Sequence, residues 1–137
     1  MSIRLNPYLS FDGNAREALE FYRTVFSGEL MLSTFGEYGP SDGIGADKIM
    51  HGQLEAGDTL TFMAADNPPG TEYTRGNDIA MSLSGDDADT LRGYWKQLSE
   101  GGTVTVALEK QMWGDEFGMC TDRFGVSWMV NIAGDQA

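Results

Sequence analysis

Apolar and polar positions change period several times along the chain, and the changes mark out short strands and two helices. From Ile3 to Phe11, Leu5, Leu9 and Phe11 mostly alternate with polar neighbours, the period of a half-covered strand. Pro7 has no N–H to give a sheet ladder, so this strand is expected at an edge or a bulge. Asp12, Gly13 and Asn14 read as a turn and helix cap. Ala18, Phe21, Tyr22, Val25 and Phe26 then recur at helical spacing, which predicts a helix over 15–26 with one buried stripe. Gly28 is the expected C-terminal stop. A strand is expected over 29–35 and a glycine-rich loop over 36–47. Strands over 48–55 and 59–65 are joined as a hairpin near Ala56, Gly57 and Asp58. Asn67 to Gly76, with Pro68, Pro69 and Gly70, has the composition of a connection.

The same order then returns. A strand is expected over 78–84, a turn at Gly85-Asp86-Asp87, and a helix over 88–99 with Leu91, Tyr94, Trp95 and Leu98 on one face. Gly101 and Gly102 end it. A strand over 104–108 and a hairpin of 116–121 with 126–132 follow. With Ala15 set against Ala88, Phe21 falls on Tyr94, Tyr22 on Trp95, Val25 on Leu98 and Gly28 on Gly101. Half a chain of this kind would leave a sheet face bare, and pairing two halves covers it. The fold class is therefore α+β: two βαβββ modules pairing into a curved mixed sheet around a cleft. Module one spans about 1–67, the linker about 68–77 and module two about 78–133, within one domain.

Composition narrows the function classes. At 137 residues, with 41% hydrophobic side chains, the chain buries enough surface to need no crosslink. Cys120 is its one cysteine, which suits a reducing compartment and points to the cytoplasm. No apolar run approaches 18 residues, so neither a membrane span nor a signal peptide is expected. The net charge of −12, with nine scattered basic residues, disfavours a nucleic-acid partner. It suits solubility and equally a cationic ligand.

Particular stretches resemble a known family. Tyr8 to Tyr22, Ile49 to Gly52, Ala65 to Gly70, Trp113 to Gly118 and Thr121 to Asn131 are each similar to PhnB-like proteins, in the same order and over almost the whole chain. The resemblance implies the vicinal-oxygen-chelate superfamily, which spans glyoxalase I, extradiol dioxygenases, fosfomycin-resistance enzymes and bleomycin-binding proteins. It also implies a homodimer, sometimes formed by exchange of modules. Metal-dependent members place a His near the start of each half and a Glu in each last strand. The matching positions fall near Pro7, Thr61, Ala80 and Met129, and none is a His or a carboxylate. The resemblance thus implies the fold without the usual metal ligands. Some PhnB-like proteins are labelled demethylubiquinone methyltransferases, but no glycine-rich cofactor turn of that class is visible here.

Several side chains are candidates for chemistry. His51, the only histidine, suits acid–base work or ligand contact, and equally a hydrogen-bonded structural role. It cannot make a His-rich zinc site alone, so only a mixed site with Glu37 or Glu55 is conceivable. Tyr8, Phe35, Phe62, Trp113, Phe117 and Trp128, with His51, are the expected ligand-binding set, since aromatic walls hold flat ligands by stacking. Each alone is equally well a core residue. Tyr8 and Tyr38 are possible helpers to His51. Cys120 is a nucleophile only with a nearby base and a lowered pKa, and its strand context favours burial. Asp115 and Glu116, adjacent on a strand, are expected to face opposite ways. The loop from Gly36 to Gly45 has the composition of a lid.

Two functions remain from these residues. The first is a metal-free small-molecule binding protein with no cofactor, for an aromatic or cationic ligand. The second is a glyoxalase- or dioxygenase-like enzyme, either dependent on a divalent metal or using His51 as acid and base.

Overall fold

Residues 3–37, 45–68 and 70–134 are described by a computed structural model, in which the chain divides into two compact units, Met1–Arg75 and Gly76–Ala137. Each unit is a βαβββ module, as the repeat predicts. The strand expected from Ile3 joins the sheet only at Tyr8. Pro7 offers no N–H, although its carbonyl accepts the Met63 N–H at 3.1 Å, and Ile3 and Leu5 stay almost fully exposed.

In the first unit the elements are β1 (Tyr8–Phe11), α1 (Ala15–Phe26), β2 (Glu29–Thr34), β3 (Ile49–Ala56) and β4 (Leu60–Asp66). The sheet order is β1-β4-β3-β2, with β1 parallel to β4 and the other pairs antiparallel. A parallel neighbour needs a crossover, and α1, β2 and β3 lie along it. Helix α1 buries Ala15, Ala18, Leu19, Tyr22, Val25 and Phe26 against one face of the sheet. Full burial of each larger side chain stabilises by about 1.5–3 kcal/mol. Tyr22 and Phe26 meet Phe62 edge-on, with ring centroids 5.5 and 6.2 Å apart.

The start of α1 departs from expectation. Asn14 occupies the cap position, but its side chain caps nothing. Asp66, at the end of β4, takes over: Oδ1 accepts the Gly13 and Ala15 N–H groups, each at 2.9 Å. Its Oδ2 accepts the Ile49 N–H at 2.9 Å. The helix ends at Ser27 rather than Gly28, with Ser27 in the left-handed region at φ 55°. Gly28 serves a different purpose. A Cβ there would lie 2.6 Å from the Glu55 carbonyl, so glycine lets the chain pass close to β3.

The first part of the expected linker is tied to β1. Asn67 N–H donates to the Phe11 carbonyl at 2.7 Å, while Tyr73 Oη and Arg75 Nη2 donate to the Ser10 carbonyl at 3.3 and 3.1 Å. The Arg75 guanidinium also lies over the Phe11 ring. The two bonds to the Ser10 carbonyl lie on the free edge of β1, whereas the Asn67 bond continues the β1–β4 ladder.

The second unit holds β5 (Met81–Gly85), α2 (Ala88–Ser99), β6 (Thr103–Lys110), β7 (Glu116–Thr121) and β8 (Ser127–Ile132), in the order β5-β8-β7-β6. Here the helix carries its own cap, Asp87, which accepts from Thr90 N at 3.3 Å and Thr90 Oγ1 at 2.9 Å. The close-approach glycine before β6 is Gly102, not the Gly101 that the helix alignment pairs with Gly28. The α2–β6 connection is one residue longer than the α1–β2 connection, and that shifts the match. A glycine also sits mid-strand under each helix: Gly52 faces Leu19 of α1, and Gly118 faces Trp95 of α2. Among the described residues no helix is long and apolar enough to cross a membrane.

Candidate functional site

Alternation places one set of side chains from the first unit's sheet on the face away from α1. Register runs Tyr8, Met63, Gln53, Met31 across β1, β4, β3 and β2, and His51 lies opposite Ser33. A bulge between Ser33 and Thr34 puts Met50 as the extra residue of β3. It also explains why Ile49 and Gly52, three apart, are both buried on the helix side. The bulge therefore sets His51 and Met50 side by side on the open face.

Tyr8 and His51 meet there. The Tyr8 hydroxyl lies 3.0 Å from His51 Nδ1, and the ring centroids are 5.7 Å apart at an interplanar angle of 43°. Burial raises the Tyr8 phenol above its usual pKa. Gln53 Nε2 donates to Glu55 Oε1 at 3.0 Å nearby. Two methionines in the Tyr8 row supply polarisable, adaptable apolar surface.

The other expected ligand contacts are dispersed. Phe35 is half-buried in the short 3-10 turn after β2. Phe62 and Trp128 are revised: both rings belong to helix-covered cores, at 4% and 1% exposure. Phe62 is taken up by Tyr22 and Phe26, whereas Trp128 donates its indole N–H to Asp122 Oδ2 at 2.8 Å. Trp113 is 60% exposed beside Phe117 in the second unit, with ring centroids 6.2 Å apart. Tyr38 and most of the glycine-rich loop from Gly36 to Gly45 lie outside the described residues.

Cys120 is buried on the helix side of β7, and burial, with the Asp122 carboxylate, pushes its thiol up to about 11. That is the reverse of an activated nucleophile. Asp115 and Glu116 do separate, but not by strand alternation: Asp115 lies in the bend before β7 and only Glu116 is on the strand. Asp115 accepts from Asn131 Nδ2 at 3.0 Å and from Gly134 N at 2.9 Å, which hold its carboxyl below the usual range. Glu116 pairs with Arg92, which lowers it likewise. Among the described residues the buried carboxylates are Asp66 and Asp122, and no sequence pattern singles them out. Their signal was position alone, one at a strand end and one at a turn.

The positions that the resemblance sets against the metal ligands of vicinal-oxygen-chelate enzymes, near Pro7, Thr61, Ala80 and Met129, carry no imidazole or carboxylate. Among the described residues no three His, Cys, Asp or Glu side chains converge.

Comparison with known proteins agrees with this architecture. The chain is similar to protein PA1353 from Pseudomonas aeruginosa, with 39% identity and a TM-score of 0.87, over 98% of this chain and 100% of that one. A PhnB protein from Bacillus cereus shares the fold at 22% identity and a TM-score of 0.78, over 96% and 100% of the two chains. A glyoxalase/bleomycin-resistance/dioxygenase domain from Frankia shares it at 10% identity and a TM-score of 0.68, over 100% and 96%. Residues 4–131 match the family described as 3-demethylubiquinone-9 3-methyltransferase. By that match, the chain belongs to the family described as 3-demethylubiquinone-9 3-methyltransferase, and it shares the fold of a glyoxalase/bleomycin-resistance/dioxygenase domain.

Proposed function

We propose that this protein binds a small aromatic or cationic molecule without a metal, and that the open sheet face of the first unit, centred on Tyr8 and His51, holds it. The observation that carries the reading is the Tyr8–His51 pair at 3.0 Å on a face whose register neighbours are Met63, Gln53 and Met31. One polar centre set in adaptable apolar surface is the usual make-up of a small-molecule site. The net charge of −12 favours a cationic ligand over an anionic one. The Trp113–Phe117 pair offers a stacking surface in the second unit.

The same pair favours a second reading, in which His51 moves a proton on the bound molecule with Tyr8 as helper. Calorimetric titration with nickel, zinc and manganese, followed by a screen of aromatic amines, tests the binding reading. Expected are no micromolar metal binding, saturable binding of an aromatic cation, and loss of that binding in His51→Ala with unchanged melting temperature. Stoichiometric metal, or undiminished ligand affinity in His51→Ala, overturns it. Turnover of a bound compound, abolished by the same substitution, moves the protein to the second reading.

A further inference from the structure

We propose that the second unit carries a site of its own for a small organic ammonium ion, formed by the Trp113 and Phe117 rings beside the Asp115 carboxylate. This goes beyond the binding reading above and stands whether or not Tyr8 and His51 hold a ligand.

The fold brings these side chains to one end of the sheet face away from α2. Gly118 faces Trp95 of α2, and Glu116 bonds Arg92 of the same helix, so Phe117 between them on β7 takes the opposite face. Asn131 lies between the buried Val130 and Ile132 on β8 and shares that face. Phe117 and Asn131 are register partners, which sets their Cβ atoms about 5 Å apart. Asn131 Nδ2 donates to Asp115 Oδ2 at 3.0 Å, and the Gly134 N–H donates to Oδ1 at 2.9 Å. The carboxylate is thereby tied to the neighbour of Phe117. Trp113 completes the group, with its ring centroid 6.2 Å from that of Phe117. The turn that presents Trp113 and Asp115 is closed by two backbone bonds, Gly114 N–H to the Gln111 carbonyl at 3.0 Å and Gln111 N–H to the Asp115 carbonyl at 2.8 Å. Gly114 supplies the positive φ of 100° that this turn requires.

Charge selects the ligand. Both donors to Asp115 are neutral, and they hold its carboxyl ionised. Among the described residues no Lys or Arg pairs with it, since the nearby Arg92 is taken by Glu116 and Asp89. The negative charge is left uncompensated beside two aromatic rings. Those rings are inclined at 60° and do not stack on each other, and Trp113 is exposed, so aromatic surface is open to a ligand. An aromatic face attracts a cation, most strongly one that sheds its water easily. A metal ion needs several converging donors, and among the described residues no three His, Cys, Asp or Glu side chains converge. A neutral aromatic compound would make no use of the carboxylate, and an anion would be repelled by it. An alkylammonium ion, charged and apolar at once, uses both the carboxylate and the rings.

Choline is the probe, and dimethylbutanol, its uncharged carbon isostere, is the control. Proton–nitrogen spectra of the untagged, nitrogen-15-labelled protein show three tryptophan indole N–H groups, and Trp113→Phe identifies that of Trp113. Millimolar choline should shift this resonance saturably, and dimethylbutanol should not. Affinity for choline should fall about tenfold in Asp115→Asn and in Phe117→Leu, with the circular dichroism spectrum retained. His51→Ala should leave the titration unchanged. Equal shifts with choline and dimethylbutanol overturn the proposal without any variant, and so does the absence of a shift with choline. Undiminished affinity in Asp115→Asn or in Phe117→Leu overturns it as well. Loss of the choline shift in His51→Ala would assign the cation to the first unit's face instead, so the two sites fail separately.

Discussion

Asp66 accepts the backbone N–H of Ala15 at 2.9 Å, which ties the first turn of α1 to the last residue of β4. The same carboxylate accepts from Gly13 and Ile49, so one buried side chain joins the helix start, β3 and β4. A local cap such as Asp87 needs only its own turn to form. Asp66 works only once the whole unit has folded.

Asp66→Ala should therefore be far more damaging than Asp87→Ala. Removing Asp66 leaves three buried or part-buried N–H groups without acceptors, at about 1–3 kcal/mol each before relaxation. Loss of the exposed Asp87 cap should cost about 1 kcal/mol. Asp66→Asn should fall between, because its NH2 cannot accept from Ile49. Urea unfolding midpoints of the three variants rank them, and equal midpoints for Asp66→Ala and Asp87→Ala would refute the account.

The mid-strand glycines give a second comparison. An added Cβ at Gly118 would lie 2.8 Å from Trp95 Cη2, 2.9 Å from Leu108 Cα and 3.0 Å from Leu108 N. Backbone cannot yield as a side chain does, so Gly118→Ala should cost about 1–3 kcal/mol. At Gly52 the nearest atoms are the ends of Leu19 and Leu32, which have rotamers to move into. Gly52→Ala should be the milder change, with a melting temperature closer to wild type.

Most of the fold was legible in the sequence because its signals are periodic and local. Both helices lie where the apolar spacing puts them, Ala15–Phe26 and Ala88–Ser99, and the repeated element order gives the βαβββ modules. What escaped depends on long-range contacts. Asn14 looks like a cap, but no local pattern announces that Asp66 will reach back to do the work. Gly101 looks like the partner of Gly28 until the longer connection hands that part to Gly102. Site residues were legible as types and not as directions. Tyr8 and His51 were both candidates, yet only the β3 bulge and the strand order bring them together. Phe62 and Trp128 carry the same aromatic signal as Trp113, and which face of a strand they occupy decides the difference.

Cys120 should resist modification in the folded protein. Burial favours the neutral thiol and raises its pKa from the ordinary 9.0 to about 11. Because the folded value is the higher one, the thiol's contribution to stability is fully present below about pH 9. It is lost as pH rises toward 11, since only the unfolded chain gains charge early in that window. A disulfide reagent at neutral pH should label the thiol only under unfolding concentrations of urea. Rapid labelling of the native protein would mean that the thiol is exposed or activated.

Trp113 and Trp128 should differ sharply in solution. Trp113 is 60% exposed, whereas Trp128 is 1% exposed and donates its indole N–H to Asp122 at 2.8 Å. Acrylamide should quench the fluorescence that Trp113→Phe removes and leave the contribution of Trp128 nearly untouched. Trp128→Phe should cost roughly 2–4 kcal/mol, because it both opens space in the core and leaves Asp122 Oδ2 without that donor. Trp113→Phe should leave the unfolding midpoint unchanged, since its ring is spread over the surface and stabilises little. If the two substitutions cost the same, the assignment of one tryptophan to the core and the other to a solvent-facing surface is wrong. Any quenching by a bound aromatic ligand should then be traced by the same pair of variants: it should survive in Trp128→Phe and weaken in Trp113→Phe if the second unit's aromatic pair takes part in binding.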